Sequence, residues 1–111
     1  GTQGHFGAYS FYYSHHITSG EGGAVVSSIR DDGTVCETLR SVRAHGWTRE
    51  FSPKRKALIE AAHKDVDPRF LFVHWGFNVR PMEIQAAIAS IQLTRLETLN
   101  RNRRANFYTM K

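Results

Sequence analysis

Apolar and polar positions change their period several times along this chain of 111 residues. Residues 1–9 carry Gly1, Gly4 and Gly7 and predict a loop. Ser10-Phe11-Tyr12-Tyr13 is a short aromatic run, which predicts a strand. After the glycine-containing stretch 14–23, Ala24-Val25-Val26-Ser27-Ser28 predicts a second strand, and Asp31-Asp32-Gly33 signals a turn. Thr34 and Glu37 stand three residues apart as a capping box. Behind them Val35, Leu39 and Val42 recur at one helical face, with Gly46 as the stop. Ser52-Pro53 opens a second helix in which Leu58, Ile59 and Ala62 face inward. Asp65 to Arg69 breaks the pattern, and Phe70-Leu71-Phe72-Val73 predicts a buried extended segment. Gly76 to Arg80 is a loop. Pro81 then opens the longest helix, to about Arg103, with Ile84, Ala87, Ile88 and Ile91 as its stripe and Leu96 and Leu99 extending it. Short strands alternating with helices predict part of an α/β layer.

Composition narrows the classes. The chain is 41% hydrophobic and 23% charged, which is ordinary for a folded domain and unlike a disordered one. No run approaches the ~18 apolar residues of a membrane helix, so no membrane partner is expected. Cys36 is the single cysteine. That excludes a disulfide scaffold and suits a reducing, cytoplasmic setting. The start has no signal-peptide pattern, and it lacks an initiator Met. The net charge of +5 favours phosphate-bearing partners without choosing among them.

Six histidines are present, yet none stands in a His-Glu-x-x-His arrangement, and one cysteine makes no Cys-x-x-Cys hook. No metal site is therefore expected. Ser10 lacks the Gly-x-Ser-x-Gly elbow of a serine nucleophile. Cys36 reads as packing. Arg101, Arg103, Arg104 and Lys111 with Phe107 and Tyr108 form a basic, aromatic tail, but no nucleic-acid motif accompanies it, so no nucleic-acid partner is expected. Gly20-Glu21-Gly22-Gly23 lacks the Lys-Ser/Thr of a Walker loop, and Glu21 would repel a phosphate. The feature that remains is Ser10 ahead of His15 and His16, on a strand end that leads into glycines. On spacing alone it is compatible with structural histidines or with a base presented to a ligand.

Three segments in order change the weighting. Residues 10–23 (SFYYSHHITSGEGG) resemble the active-site segment of the DegT/StrS-type sugar aminotransferases. Residues 39–47 (LRSVRAHGW) are similar to the helix and loop that follow it, and residues 76–87 (GFNVRPMEIQAA), with Gln92, Leu93 and Leu96 beyond, to a third motif. The resemblance implies the aspartate aminotransferase fold (fold type I, α/β) and pyridoxal or pyridoxamine 5′-phosphate as cofactor. Residues 1–80 would be part of the cofactor-binding large domain, with the active-site loop at 10–23. Residues 81–111 would be the long helix leading to a C-terminal domain. The chain covers well under half of a family member and is expected to be a fragment, without activity by itself.

In the aminotransferases a lysine five residues after the serine holds the cofactor as an imine. Here that position is His15, as in the family's branch of nucleotide-linked 4-keto-6-deoxysugar 3-dehydratases. The resemblance therefore implies a non-covalently held cofactor, with His15 as the catalytic base. Ser10 would donate to the cofactor phosphate. Asn78 would reach the phosphate of a neighbouring subunit's cofactor, which implies a homodimer with shared sites. His16 would support the loop, Arg80 would brace its own loop, and His45 and Trp47 would flank the substrate. A family protein of other activity, or a non-catalytic fragment that dimerises or binds phosphorylated ligands, are the alternatives.

Overall fold

The structure is a computed structural model and describes residues 3–31 and 33–111. Two short strands and four helices carry the chain. They are β1 (Phe6–Ser10), β2 (Gly23–Ser27), α1 (Thr34–Arg43), α2 (Pro53–Ala62), α3 (Glu83–Thr94) and α4 (Leu96–Thr109). Single 3-10 turns at Thr48–Glu50 and Pro68–Phe70 interrupt the connections. The chain divides into two compact units. One joins Gly1–Val26 to Pro81–Lys111, and the other is Ser27–Arg80. The C-terminal stretch thus shares a unit with the first strands.

In the first unit β1 and β2 pair as a two-stranded sheet. Residues 6–9, expected as loop, are strand, whereas Phe11 to Tyr13 lie beyond its end. The glycines there do not prevent pairing. Gly7 is buried, and Gly23 lies so near the Tyr9 carbonyl that a Cβ on it would stand 2.7 Å from that oxygen. The long C-terminal helix is two helices. The first begins at Glu83, not Pro81, because the Met82 N–H donates to Gln85 Oε1 at 2.9 Å and makes Met82 the cap. At Arg95 the N–H reaches the Gln92 carbonyl, three residues back, while the Thr94 hydroxyl donates to the Ile91 carbonyl at 2.7 Å. The tightened turn with a back-bonding threonine separates α3 from α4. Helix α4 then runs to Thr109, past the expected end at Arg103. The stripe of Ile84, Ala87, Ile88 and Ile91 is exposed, and Leu96 and Leu99 are half-buried.

The second unit holds the buried apolar residues Ala44, Phe51 and Leu71, with Ser41 and Thr48 fully enclosed. Helix α1 half-buries its predicted stripe of Val35, Leu39 and Val42. Its start differs from the expected capping box. Gly33, at φ 94°, is the cap residue, and Thr34 lies inside the helix. Asp31 satisfies the orphan donors instead, its two oxygens accepting from the Gly33 and Val35 N–H groups at 3.0 and 2.8 Å. Asp32, the middle of that predicted turn, lies outside the described residues. Glu37 turns away to α2, where it accepts from the Ser52 N–H at 3.1 Å and pairs with Arg55 at 3.4 Å. At the other end the Gly46 N–H donates to the Ser41 carbonyl, closing a Schellman-type turn. The left-handed cap residue within that turn is His45, at φ 66°.

Helix α2 matches its prediction in extent but not in its inner face, since Leu58 and Ala62 are exposed and only Ile59 is half-buried. In 70–73, Leu71 is buried while Phe70 and Phe72 are exposed. The reason is a pairing that local periodicity does not reveal. Residues 71–79 run antiparallel to 42–48, with bridges Trp47 to Phe72 and Ala44 to Asn78. Backbone bonds run from Thr48 N–H to Leu71 O, Val73 N–H to Gly46 O, His45 N–H to Phe77 O, Phe77 N–H to Val42 O and Val79 N–H to Arg43 O. At the tightest point Gly46 and Gly76 meet. A Cβ on Gly46 would overlap the His74 carbonyl, and one on Gly76 would overlap the backbone of His45 and Gly46.

Candidate active site

The turn between β1 and β2 is built around Phe11. Its N–H donates to the Gly22 carbonyl at 2.9 Å, and its own carbonyl accepts from the Ser19 N–H at 2.9 Å and the Thr18 hydroxyl at 3.1 Å. Thr18 Oγ1 also accepts from the Gly20 N–H, and the buried Ser19 donates its hydroxyl to the Glu21 carbonyl at 2.6 Å. Gly22 has φ 136° and faces Ser19 Oγ so closely that a Cβ would stand 2.9 Å from it. These bonds explain why small, hydroxyl-bearing and glycine residues fill 18–23. They fold the loop back on itself by satisfying its backbone locally.

The polar residues ahead of this staple are presented outward. Ser10 Oγ accepts from the Tyr12 N–H at 3.3 Å, which leaves the hydroxyl proton for another acceptor. The His15 N–H donates to the Tyr12 carbonyl at 3.0 Å and closes a tight turn, so the imidazole stands at its exit. His15 is exposed, and among the described residues none hydrogen-bonds to its ring. His16 lies 2.9 Å through Nε2 from Arg103 Nη1 of α4. An arginine can only donate, so this contact needs Nε2 as acceptor and the ring proton on Nδ1. Ser10 thus ends β1, and His15 lies in the turn that follows it. Asn78 belongs to the other unit, where its pairing with Ala44 fixes its backbone. His45 borders the same ladder, its ring edge-on to Phe72 at 6.5 Å.

The second unit also holds a cleft of about 550 Å³ whose walls include Trp47, Phe70 and Phe72, with Arg49, Lys56 and Arg69 about them. Trp47 and Phe72 stack at 6.0 Å and 25°. Asp67 Oδ2 is 2.6 Å from Arg69, whose side chain and N–H hold the Asp67 carboxyl below the usual range while the arginine is pushed up. Of these residues the sequence marked only Trp47 as a candidate, to flank the substrate. The signal available was alternation of aromatic and basic residues across 47–72, divided by a helix. Among the described residues no group of three His, Cys, Asp or Glu side chains could hold a metal ion. No helix of them is long and apolar enough to cross a membrane.

Comparison with known proteins places this arrangement. All of residues 1–111 match the model of the DegT/DnrJ/EryC1/StrS aminotransferase family. The chain belongs to that family. It is 41% identical over 106 residues to GDP-4-keto-6-deoxy-D-mannose 3-dehydratase of Escherichia coli O55:H7, covering 96% of this chain and 26% of the relative. It is 40% identical over 109 residues to the enzyme of that name from Yersinia pseudotuberculosis, again covering 96% and 26%. A solved structure of the E. coli dehydratase with bound hydrated PLP superposes with a TM-score of 0.64 at 35% identity, over 86% of this chain and 24% of that one. The chain thus spans about a quarter of the length of the curated relatives it matches, and its fold is a portion of the fold type I architecture.

Proposed function

We propose that this chain is the active-site portion of a pyridoxamine 5′-phosphate-dependent 3-dehydratase acting on a nucleotide-linked 4-keto-6-deoxysugar. The observation that carries the reading is the imidazole of His15, exposed and, among the described residues, without a hydrogen-bond partner, in a stapled turn where related aminotransferases keep a lysine.

The residues present suit the cofactor. Ser10 retains a hydroxyl proton for its phosphate, because the same oxygen is already oriented by the Tyr12 N–H. Asn78, set on the antiparallel ladder, would serve the phosphate of a second subunit's cofactor, so the active protein would be a homodimer with shared sites. Bound there, the cofactor supplies the amine that joins the sugar's C4 carbonyl and the conjugated ring that accepts electrons as the C3 hydroxyl leaves. His15 contributes what a lysine cannot separate. A neutral imidazole takes a proton at a ring nitrogen, yet has no primary amine with which to tether the cofactor. His16, held through Nε2 to Arg103, keeps the neighbouring backbone in place. Gly20, Gly22 and the Ser19 hydroxyl hold the far side of the loop.

His15→Lys in the full-length protein tests this. The parent should release its cofactor on dialysis, whereas the lysine variant should retain it and shift from dehydration toward amino transfer. A parent that holds its cofactor covalently, or a variant that dehydrates the 4-keto sugar unchanged, would overturn the assignment.

A further inference from the structure

We propose that Arg103 is a positioning residue for the loop that bears His15: by donating to Nε2 of His16 it ties that loop to α4 and leaves His15, of the two adjacent imidazoles, the one able to take a proton. This deepens the reading above, on which it rests for the reaction that His15 serves.

The loop at 11–22 is closed mainly by itself. Phe11, Thr18, Ser19 and Gly22 exchange bonds at its base, and the His15 N–H is held by the Tyr12 carbonyl. Among the described residues, the 2.9 Å contact of His16 Nε2 with Arg103 Nη1 is the only side-chain hydrogen bond by which this loop reaches another element, and it spans 87 positions of sequence. Both partners belong to one compact unit. Helix α4 places the arginine for the task. Leu96, Leu99 and Asn100 are half-buried, and Arg103 follows them at helical spacing on the same stripe. Arg101 and Arg104 lie off that stripe.

The chemistry of the contact divides the two histidines. A guanidinium has only donors, so His16 gives its Nε2 lone pair to Arg103 and keeps its proton on Nδ1. With that lone pair committed, His16 has no nitrogen left to take up a proton while the contact lasts. His15 hydrogen-bonds through neither ring nitrogen among the described residues, so its basic nitrogen stays available. Both tied side chains are exposed, and an exposed bond contributes little to overall stability. Its effect is on placement. It holds the residue next to the base, where a small displacement costs rate.

The test uses the full-length protein, with steady-state dehydration of a GDP-linked 4-keto-6-deoxyhexose, cofactor absorbance and hydrogen exchange of the loop as readouts. Arg103→Met removes the donors and keeps the stem, and His16→Leu removes the acceptor. Each should lower kcat about fivefold or more, with KM and cofactor absorbance unchanged, as expected for a misplaced base. Each should also quicken exchange at the His15 amide and leave the Phe11 and Ser19 amides parental. His16→Gln sets an amide oxygen near the place of Nε2 and should restore both kcat and exchange. Combining Arg103→Met with His16→Leu should do no more harm than either alone, because the same bond is lost in all three. Parental kcat and exchange in Arg103→Met, a His16→Gln protein as impaired as His16→Leu, or additive losses in the double variant would overturn the proposal. If exchange follows the expected order while the parent does not dehydrate the sugar, the tie stands and the dehydratase reading falls.

Discussion

The hairpin loop at 11–22 and the ladder of 42–48 with 71–79 both present polar side chains on fixed backbone, but they are fastened by different means. The loop is closed by its own neighbours. Phe11, Thr18, Ser19 and Gly22 exchange hydrogen bonds within a dozen residues. The ladder joins segments two to three dozen positions apart, through backbone bonds around two glycines. A local staple tolerates change around it, because its closure costs little entropy. A non-local ladder exists only when its unit is folded. The consequence is that Ser10 and His15 depend on a short stretch of sequence, whereas Asn78, His45 and the aromatic cleft depend on the whole of residues 27–80.

The largest effect should therefore come from the ladder's glycines. Gly46→Ala places a Cβ on the His74 carbonyl at a residue with φ 83°, and Gly76→Ala places one on the Gly46 and His45 backbone. Backbone cannot step aside as a side chain can, so each change should cost about 3 kcal/mol or more. Urea unfolding followed by tryptophan fluorescence measures this, since Trp47 reports on the ladder. Parental midpoints in both variants would mean that the two segments are not held so closely. A smaller and more local loss should follow Gly22→Ala, which meets Ser19 Oγ at φ 136° and should cost about 2 kcal/mol. Hydrogen exchange should quicken at the Phe11 and Ser19 amides and stay parental at the Val73 and Phe77 amides. Equal quickening at both places would erase the distinction between staple and ladder.

What the sequence disclosed follows the same division. The stripe of Val35, Leu39 and Val42 and the strand near Ala24 are local patterns, and both elements formed. The serine and histidine of the loop were legible because the motif is contiguous. The ladder was not, because the pairing of Trp47 with Phe72 leaves no periodic trace in either segment. Its only trace is a glycine at each of 46 and 76, read separately as a helix stop and a loop. The exposed isoleucines of α3 show the converse. Periodicity marked one face of that helix, but the half-buried positions are Gln85, Ala89 and Gln92, because a pattern specifies what is to be covered and not what covers it. The capping box failed for a related reason. Glu37 could reach its own helix start, yet Ser52 and Arg55, distant in sequence, offered more donors.

That displaced carboxylate gives the smallest and most specific effect. The Ser52 side chain, its N–H and the Arg55 guanidinium hold the Glu37 carboxyl below its usual range, and partial burial opposes them. A carboxyl with a lowered pKa in the folded chain binds fewer protons there than in the unfolded chain at the same acidic pH. Its stabilisation is complete above the ordinary glutamate value of about 4.5 and is lost as pH falls through the lower folded value. Glu37→Gln keeps an oxygen for the Ser52 N–H and removes the charge. The variant should be somewhat less stable at pH 7, and its stability should fall less steeply than the parent's between about pH 5 and pH 3. Asp67, lowered by Arg69 in the same region of pH, contributes to both proteins and cancels in the difference. Urea midpoints measured across that interval decide the matter. Parallel acid limbs would show that the link between α1 and α2 owes nothing to charge, and that the unit bearing the ladder is joined there by neutral hydrogen bonds alone.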